Sequence, residues 1–267
     1  MLETTYARAG SVAEAVKLNK AGKGEGKYLA GGHTLIPAMK QRLASPSVLV
    51  DVARIGELKG VKVTGRKVTI GAATTHAEVA ADEKLRAVCP ALCHLAGHIG
   101  DQHVRHRGTI GGSIANNDPA ADYPAALLAL DATIVTDKRE IAADKFFKGL
   151  FETSLKDGEL IKAVTFTAPA KAGYAKFPNP ASRYAMAGVF VAGQKDGPRV
   201  AVTGAGDDGV FRSKELEAAL GKGLDASKID GVKVPPKGLM SDIHATAEYR
   251  AALVKAMAKR AAAATAS

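Results

Sequence analysis

Tyr28-Leu29-Ala30-Gly31-Gly32-His33-Thr34-Leu35-Ile36-Pro37 passes from an apolar stretch, through a glycine pair and two polar side chains, into a second apolar stretch. The order reads as strand, tight loop, helix, with the strand at Tyr28-Leu29-Ala30 and the helix from about Leu35 to Leu43. Paired glycines admit positive φ and let a ligand approach main-chain N–H groups without interference from a β-carbon. Successive N–H groups in such a turn form an anion nest. A helix starting near Leu35 adds the positive end of its dipole, and His33 and Thr34 supply further donors.

A second glycine pair lies in Thr109-Ile110-Gly111-Gly112-Ser113, again after a strand-like stretch and before a polar residue. Thr109 and Ser113 add hydroxyls. Two such loops gripping one pyrophosphate from both sides suit a dinucleotide better than a single phosphate. The residues alone leave the alternative open that each pair is only a tight turn.

Working outward, Ser11 and Glu14 form a capping box that opens a helix through Leu18, and Val48-Leu49-Val50-Asp51 is a short strand. From Ala53 the texture changes. Val61/Val63 and Val68/Ile70 alternate about Gly65-Arg66 as a hairpin. Thr75 and Glu78 form a second capping box, and Pro90 suits the first position of a helix to Ala96. A helix near Pro124–Leu130 and strands at Ala132–Thr136 and Leu160–Phe166 follow. The Pro-rich stretch Tyr174–Pro180 reads as a boundary. Beyond it lie strands at Ala185–Val191 and Arg199–Thr203 and helices at Ser213–Leu220 and Ala247–Ala264. The expected class is α+β, divided at 1–52, 53–175 and 176–267.

The chain has 267 residues, 46% of them hydrophobic, enough to build more than one core. Its net charge of +10 raises nucleic acid as a partner. Against that, the basic residues are dispersed, there is no Trp, and no aromatic–basic interleaving offers bases a stacking surface. A basic surface that attracts an acidic partner or substrate fits as well. No apolar run approaches the roughly 18–20 residues of a membrane span, and the N-terminal stretch lacks the marks of a signal peptide. The expected location is cytoplasmic.

Cys89 and Cys93 are the only cysteines, too few for the roughly four thiolates of an iron–sulfur cluster. With His94, His98, His103 and His106 they suggest zinc, but the spacing matches no standard zinc motif, and core and surface roles fit better. Gly204-x-Gly206-x-x-Gly209 has the letters of a dinucleotide fingerprint. Val210-Phe211-Arg212 intervene before any helix, and fewer than sixty residues remain, so it reads as a loop. No acid/base pair or nucleophile elbow is present.

The segments Ala30–Lys40 and Gly108–Ala115, continued by Asp118-Pro119-Ala120-Ala121-Asp122-Tyr123-Pro124, closely resemble the FAD-binding medium subunits of the xanthine oxidase and aerobic carbon monoxide dehydrogenase family. Leu49-Val50-Asp51, Ile70-Gly71-Ala72, Gly158-Glu159-Leu160-Ile161 and Ala247-Glu248-Tyr249-Arg250 extend the likeness along essentially the whole chain. The resemblance implies a FAD-binding fold of the molybdopterin-dehydrogenase (PCMH-like) type: two N-terminal α/β modules holding FAD between them, and a C-terminal three-stranded sheet with helices. It implies that Leu29, Ala30, Gly31, Gly32, His33, Thr34, Leu35 and Ile36 wrap the FAD pyrophosphate. Thr109, Ile110, Gly111, Gly112 and Ser113 are then the second clamp. By the same resemblance Asp122 faces the adenosine, Ile99 and Ile161 line the cofactor, and Lys176 is a cation in the later part of the site.

The implied enzyme is a molybdenum hydroxylase, commonly a dimer of heterotrimers. An iron–sulfur small subunit carries [2Fe–2S] clusters and a large subunit carries molybdopterin. This chain then has no substrate-activating residue of its own; it takes electrons from the clusters and passes them to an external acceptor such as a quinone, cytochrome, oxygen or NAD. Relatives close to the carbon monoxide enzymes usually have Asn where this chain has Ser113, which weakens carbon monoxide as the substrate but leaves it open beside an aldehyde, a purine or an N-heterocycle. The rival readings are a self-contained flavin oxidase or reductase and a basic binding protein without a cofactor.

Overall fold

The computed structural model describes residues 3–266. The chain opens with a parallel three-stranded sheet in the order Thr5–Arg8, Val48–Asp51, Gly26–Leu29. Helix Val12–Ala21 covers it and buries Val12, Ala15 and Asn19. Ser11 Oγ accepts from Glu14 N–H, but the Glu14 carboxylate returns to Gly10 N–H at 2.8 Å, one residue before the expected partner. Val50, Val52, Ile55 and Leu58 complete a small core beneath the sheet.

Next comes an antiparallel five-stranded sheet in the order Val61–Thr64, Lys67–Gly71, Ile161–Thr167, Thr133–Thr136, Glu140–Ala142. Gly65 at φ +59 makes the tight turn of its first hairpin, which sets Val63 opposite Val68. Short helices fill the long excursion between these strands. They include His76–Ala81, opened by the full Thr75/Glu78 capping box, and Pro90–Gly97 with its proline at the first turn. Helices Ile110–Asn116 and Tyr123–Ala129 follow. Leu92, Leu95, Ile110, Ile114, Tyr123 and Leu127 are fully buried among them.

The third sheet is antiparallel: Ala172–Pro178, Ala185–Gln194, Gly197–Thr203 and a two-residue edge, Phe211–Arg212. The three strands implied by the resemblance are the long ones. The fourth pairs only with Ala201 and Val202 before Ser213 starts the next helix. The 175/176 junction expected from sequence falls inside Ala172–Pro178, so this stretch is a paired strand and not a connector. Its glycine has a packing cause, because a β-carbon on Gly173 would collide with the Ala261 carbonyl of helix Ala247–Ala263.

Both faces of this sheet are covered. Val189, Val191, Val200 and Val202 join a core completed by helices Lys214–Leu220 and Ala247–Ala263, while Phe190, Ala192 and Ala201 join the core of the middle sheet. Period-two alternation therefore puts apolar side chains on both sides, which makes Ala185–Ala192 buried throughout.

Candidate functional site

A cleft of about 640 Å³ runs between the first and second sheets, within the roughly 300–1,000 Å³ of small-molecule and cofactor sites. One wall is the segment Lys27–Leu35, which leaves the end of strand Gly26–Leu29. The other is built from Ala72–Ala73, Gly108–Thr109, Gly111–Ser113 and Leu160–Ile161. Ile99 and Val104 lie on one margin, and Ser182, Arg183 and Tyr184 on another.

The two glycine-rich segments touch. A β-carbon on Gly31 would strike the Arg107 carbonyl and stand 2.8 Å from Gly108 Cα, so only glycine lets the main chains meet here. Gly32 lies at φ +76 and turns the chain toward helix Leu35–Lys40, which is shorter than expected and ends before Arg42 at φ +61. The N–H groups of Gly31, Gly32, His33 and Thr34 donate to no protein acceptor among the described residues, while Gly32 O takes Ile36 N–H at 3.0 Å. A run of outward N–H groups on the wall of a cleft is an anion nest.

The second segment is organised differently from the loop expected on sequence grounds. Thr109 caps a helix, its Oγ1 accepting from Gly112 N–H at 3.1 Å, and both glycines lie in the first turn at ordinary φ. Gly111 N–H is committed to Ala72 O at 2.9 Å, and Ile110 N–H to Thr74 O at 3.1 Å. A β-carbon on Gly111 would sit 2.6 Å from that of Ala72. Gly111 serves close packing. What this wall offers a ligand is hydroxyl and main-chain surface at Thr109, Gly112 and Ser113.

Asp122 closes the far end. It is 4% exposed, and its Oδ1 takes both the Tyr174 hydroxyl proton and the Lys176 ammonium, the latter at 2.9 Å. Burial pushes the Asp122 carboxyl up, and the Lys176 charge and the Tyr174 hydroxyl oppose that. Oδ2 accepts no hydrogen bond from the described residues, and Asp122 lines the cleft. A second carboxylate, Glu159, is saturated. Arg139 holds it through Nε at 2.9 Å and Nη2 at 3.0 Å, with Thr136 and Lys156 N–H completing the set. Opposing its burial, those bonds bring it down to about 2. It shapes the turn that carries Leu160 and Ile161 to the cleft.

His76 is a lining residue that sequence reasoning passed over. It stands at the first position of helix His76–Ala81, is 4% exposed, and lies so close beneath Gly108 that a β-carbon there would be 2.5 Å from Nε2. Burial, then the charges of His33 and Arg105, push it down to about 4, so the ring is neutral. Its only sequence signal was a position just after a capping threonine. Tyr184, Arg183, Leu155 and Asp118 were also missed, lying on connections without periodicity.

Of the residues singled out by resemblance, Leu29 to Leu35, Ile99, Thr109, Gly111, Gly112, Ser113, Asp122 and Ile161 line the cleft. Three do not. Ile36 lies behind Gly32, within 3.1 Å of a β-carbon placed there. Ile110 is fully buried in the core. Lys176 stands one layer back and acts on the cleft through Asp122. The Gly204–Gly209 segment leads into strand Phe211–Arg212 and not into a helix, and no residue of it reaches the cleft. Cys89 and Cys93 are 1% and 2% exposed members of the core.

Residues 2–169 match the family described as the FAD binding domain in molybdopterin dehydrogenase. The chain is similar to the glyceraldehyde dehydrogenase medium chain of Sulfolobus acidocaldarius, 35% identical over 277 residues and covering 97% of each chain. It is 34% identical to the carbon monoxide dehydrogenase medium chain of Hydrogenophaga pseudoflava, with 94% of this chain and 93% of that one covered. Among solved structures, carbon monoxide dehydrogenase from H. pseudoflava superposes with a TM-score of 0.88 at 34% identity, over 98% of this chain and 97% of that one. Quinoline 2-oxidoreductase from Pseudomonas putida 86 gives 0.89 at 27% identity, over 99% and 97%. The chain belongs to the FAD-binding family of the molybdopterin dehydrogenases, whose motifs its two glycine-rich segments resemble, and is a component of an oxidoreductase complex.

Proposed function

We propose that this chain is the electron-relay subunit of a molybdenum hydroxylase, receiving electrons from the [2Fe–2S] clusters of a small subunit and delivering them to an external acceptor. The observation that carries the reading is one cleft with two unsatisfied ends: main-chain N–H groups at Gly31–Thr34 and the free Oδ2 of Asp122. The first end fits a pyrophosphate, and the second accepts from ribose hydroxyls. When bound, FAD supplies a two-electron carrier that also exchanges electrons one at a time.

The residues of this chain bind and orient the cofactor. Gly31 and Gly32 bring the nest to the phosphates, Thr109 and Ser113 face them from the opposite wall, and Ile99, Leu160 and Ile161 give the cleft an apolar lining. Tyr174 and Lys176 fix the Asp122 carboxylate in one orientation. Substrate oxidation belongs to the molybdopterin subunit in this reading. It accords with relatives named for glyceraldehyde, carbon monoxide and quinoline at similar overall likeness. We place the chain in a dimer of heterotrimers in the cytoplasm; no helix among the described residues is long and apolar enough to cross a membrane.

The test is the visible spectrum of the purified chain with and without added FAD, beside that of Gly32→Asp. The variant puts a carboxylate where the phosphates lie and strains a position at φ +76. It is expected to retain no flavin while keeping its far-UV circular dichroism. A wild-type chain that stays colourless with FAD sinks the proposal, and bleaching of the isolated chain by a substrate alone would favour a self-contained oxidase.

A further inference from the structure

Gly100 and Arg183 line the cleft, and Arg105 stands beside them, just outside its lining, bonded to the Ile99 and Gly100 carbonyls. Gly100, at φ +51, presents its carbonyl to two guanidinium groups. Arg105 Nη1 donates to it at 3.0 Å and to Ile99 O at the same distance, and Arg183 Nη1 reaches it at 3.5 Å from the opposite segment. Arg183 lies at φ +62, in a turn held by Asn179, whose side chain accepts from Ala181 and Ser182 N–H. Such a conformation is costly for a residue other than glycine and persists where the surroundings impose it.

Neither guanidinium has a carboxylate at ion-pair distance among the described residues. The acid closest in charge terms, Asp101, is influenced by Arg183, but it caps the helix at Val104 and stands 3.8 Å from His103. Further basic side chains lie nearby. His33, like Arg105, acts on His76, and the exposed Arg107 stands on the segment against which Gly31 packs. Like charges converging on one neutral carbonyl repel each other unless an anion completes the arrangement.

We propose that Arg105 and Arg183 form an oxyanion subsite at the cleft margin that receives the phosphate or carboxylate group of the external electron acceptor. The inference rests on the FAD reading above and gives the acceptor a chemical class. Reoxidation then takes two electrons from the reduced flavin, releases its protons to solvent, and reduces either one two-electron acceptor or two one-electron acceptors.

The test uses the full chain loaded with FAD and reduced with dithionite. Stopped-flow reoxidation is followed at the flavin band with ferricyanide, an anion, and hexaamminecobalt(III), a cation. Rates are expressed per bound flavin. The ferricyanide rate is expected to fall about tenfold between 0.01 M and 1 M salt, and the hexaamminecobalt rate to rise. Arg183→Gln and Arg105→Gln should each lower the low-salt ferricyanide rate by about threefold and flatten its salt dependence.

At fixed ionic strength, inorganic phosphate and acetate are added in turn, and the one that slows ferricyanide names the preferred group. Equal salt slopes for the two oxidants overturn the inference while leaving the FAD reading intact. So do variants that hold the wild-type flavin content and keep the wild-type rate and charge preference, or a rate that neither anion slows. A chain that binds no flavin overturns both.

Discussion

Gly31→Ala separates a glycine needed for close approach from one needed only for a turn. Gly31 does not sit at positive φ, so alanine meets no backbone penalty there. The obstacle is space: the new methyl would strike the Arg107 carbonyl and stand 2.8 Å from Gly108 Cα. Restoring van der Waals contact means moving one wall of the cleft by about 1 Å, and overpacking of that order costs about 1–3 kcal/mol. If that cost falls on the cofactor-competent arrangement, FAD binding weakens by about 5- to 150-fold, since 1.4 kcal/mol is tenfold. The assay is fluorescence titration of apoprotein with FAD, with thermal unfolding run in parallel. Gly56→Ala is the control, because nothing lies within 4 Å of its β-carbon and its φ is ordinary. Gly112→Ala should be milder than Gly31→Ala, its nearest obstacle being the Thr109 hydroxyl at 3.0 Å. Wild-type FAD affinity and thermal stability in Gly31→Ala would refute the idea that contact between the segments sets the cleft.

Asp122→Asn strips the buried Lys176 ammonium of its counter-charge, leaving it the His98 carbonyl at 2.7 Å. Urea unfolding should show a loss of about 3–5 kcal/mol, partly recovered in the Asp122→Asn/Lys176→Met pair; a loss under about 1 kcal/mol contradicts the burial argument. His76 titrates near 4 in the folded chain against an ordinary value of 6.5, so the unfolded chain binds more protons between those limits. Its contribution is complete above pH 6.5 and is lost as pH falls toward 4. The contribution amounts to about 3 kcal/mol, and His76→Gln should flatten the acid limb of the stability profile. Gly206→Ala drives a methyl into the Gly209 carbonyl outside the cleft, so melting temperature should drop while flavin per folded molecule stays constant.

Much of the site was legible because its signals are local. A glycine pair between a strand and a helix says where N–H groups stand free, and Thr75, Glu78 and Pro90 mark helix starts by side-chain chemistry alone. The second pair misled on geometry, because Thr109-x-x-Gly112 is also a helix cap, and only tertiary contact with Ala72 shows why glycine stands there. Strand Thr5–Arg8 escaped because its side chains are mostly exposed and show no alternation. Ala172–Pro178 escaped because its glycine answers to a helix some ninety residues further on, and its proline sits at a register shift at the strand's end. Arg183 carries no motif and His76 only its place after a capping threonine; both matter by what the fold brings beside them.

The pairing of Asp122 with Tyr174 and Lys176 also bears on how such a chain can be divided. The family match stops at residue 169, short of both partners. A fragment cut at that border would keep every residue of the phosphate loop and still leave a carboxylate stranded in its interior. The unit that the family match covers and the unit that closes this buried ion pair are therefore different lengths of the same chain. A graft of this domain onto a new scaffold must carry the first strand of the next sheet with it.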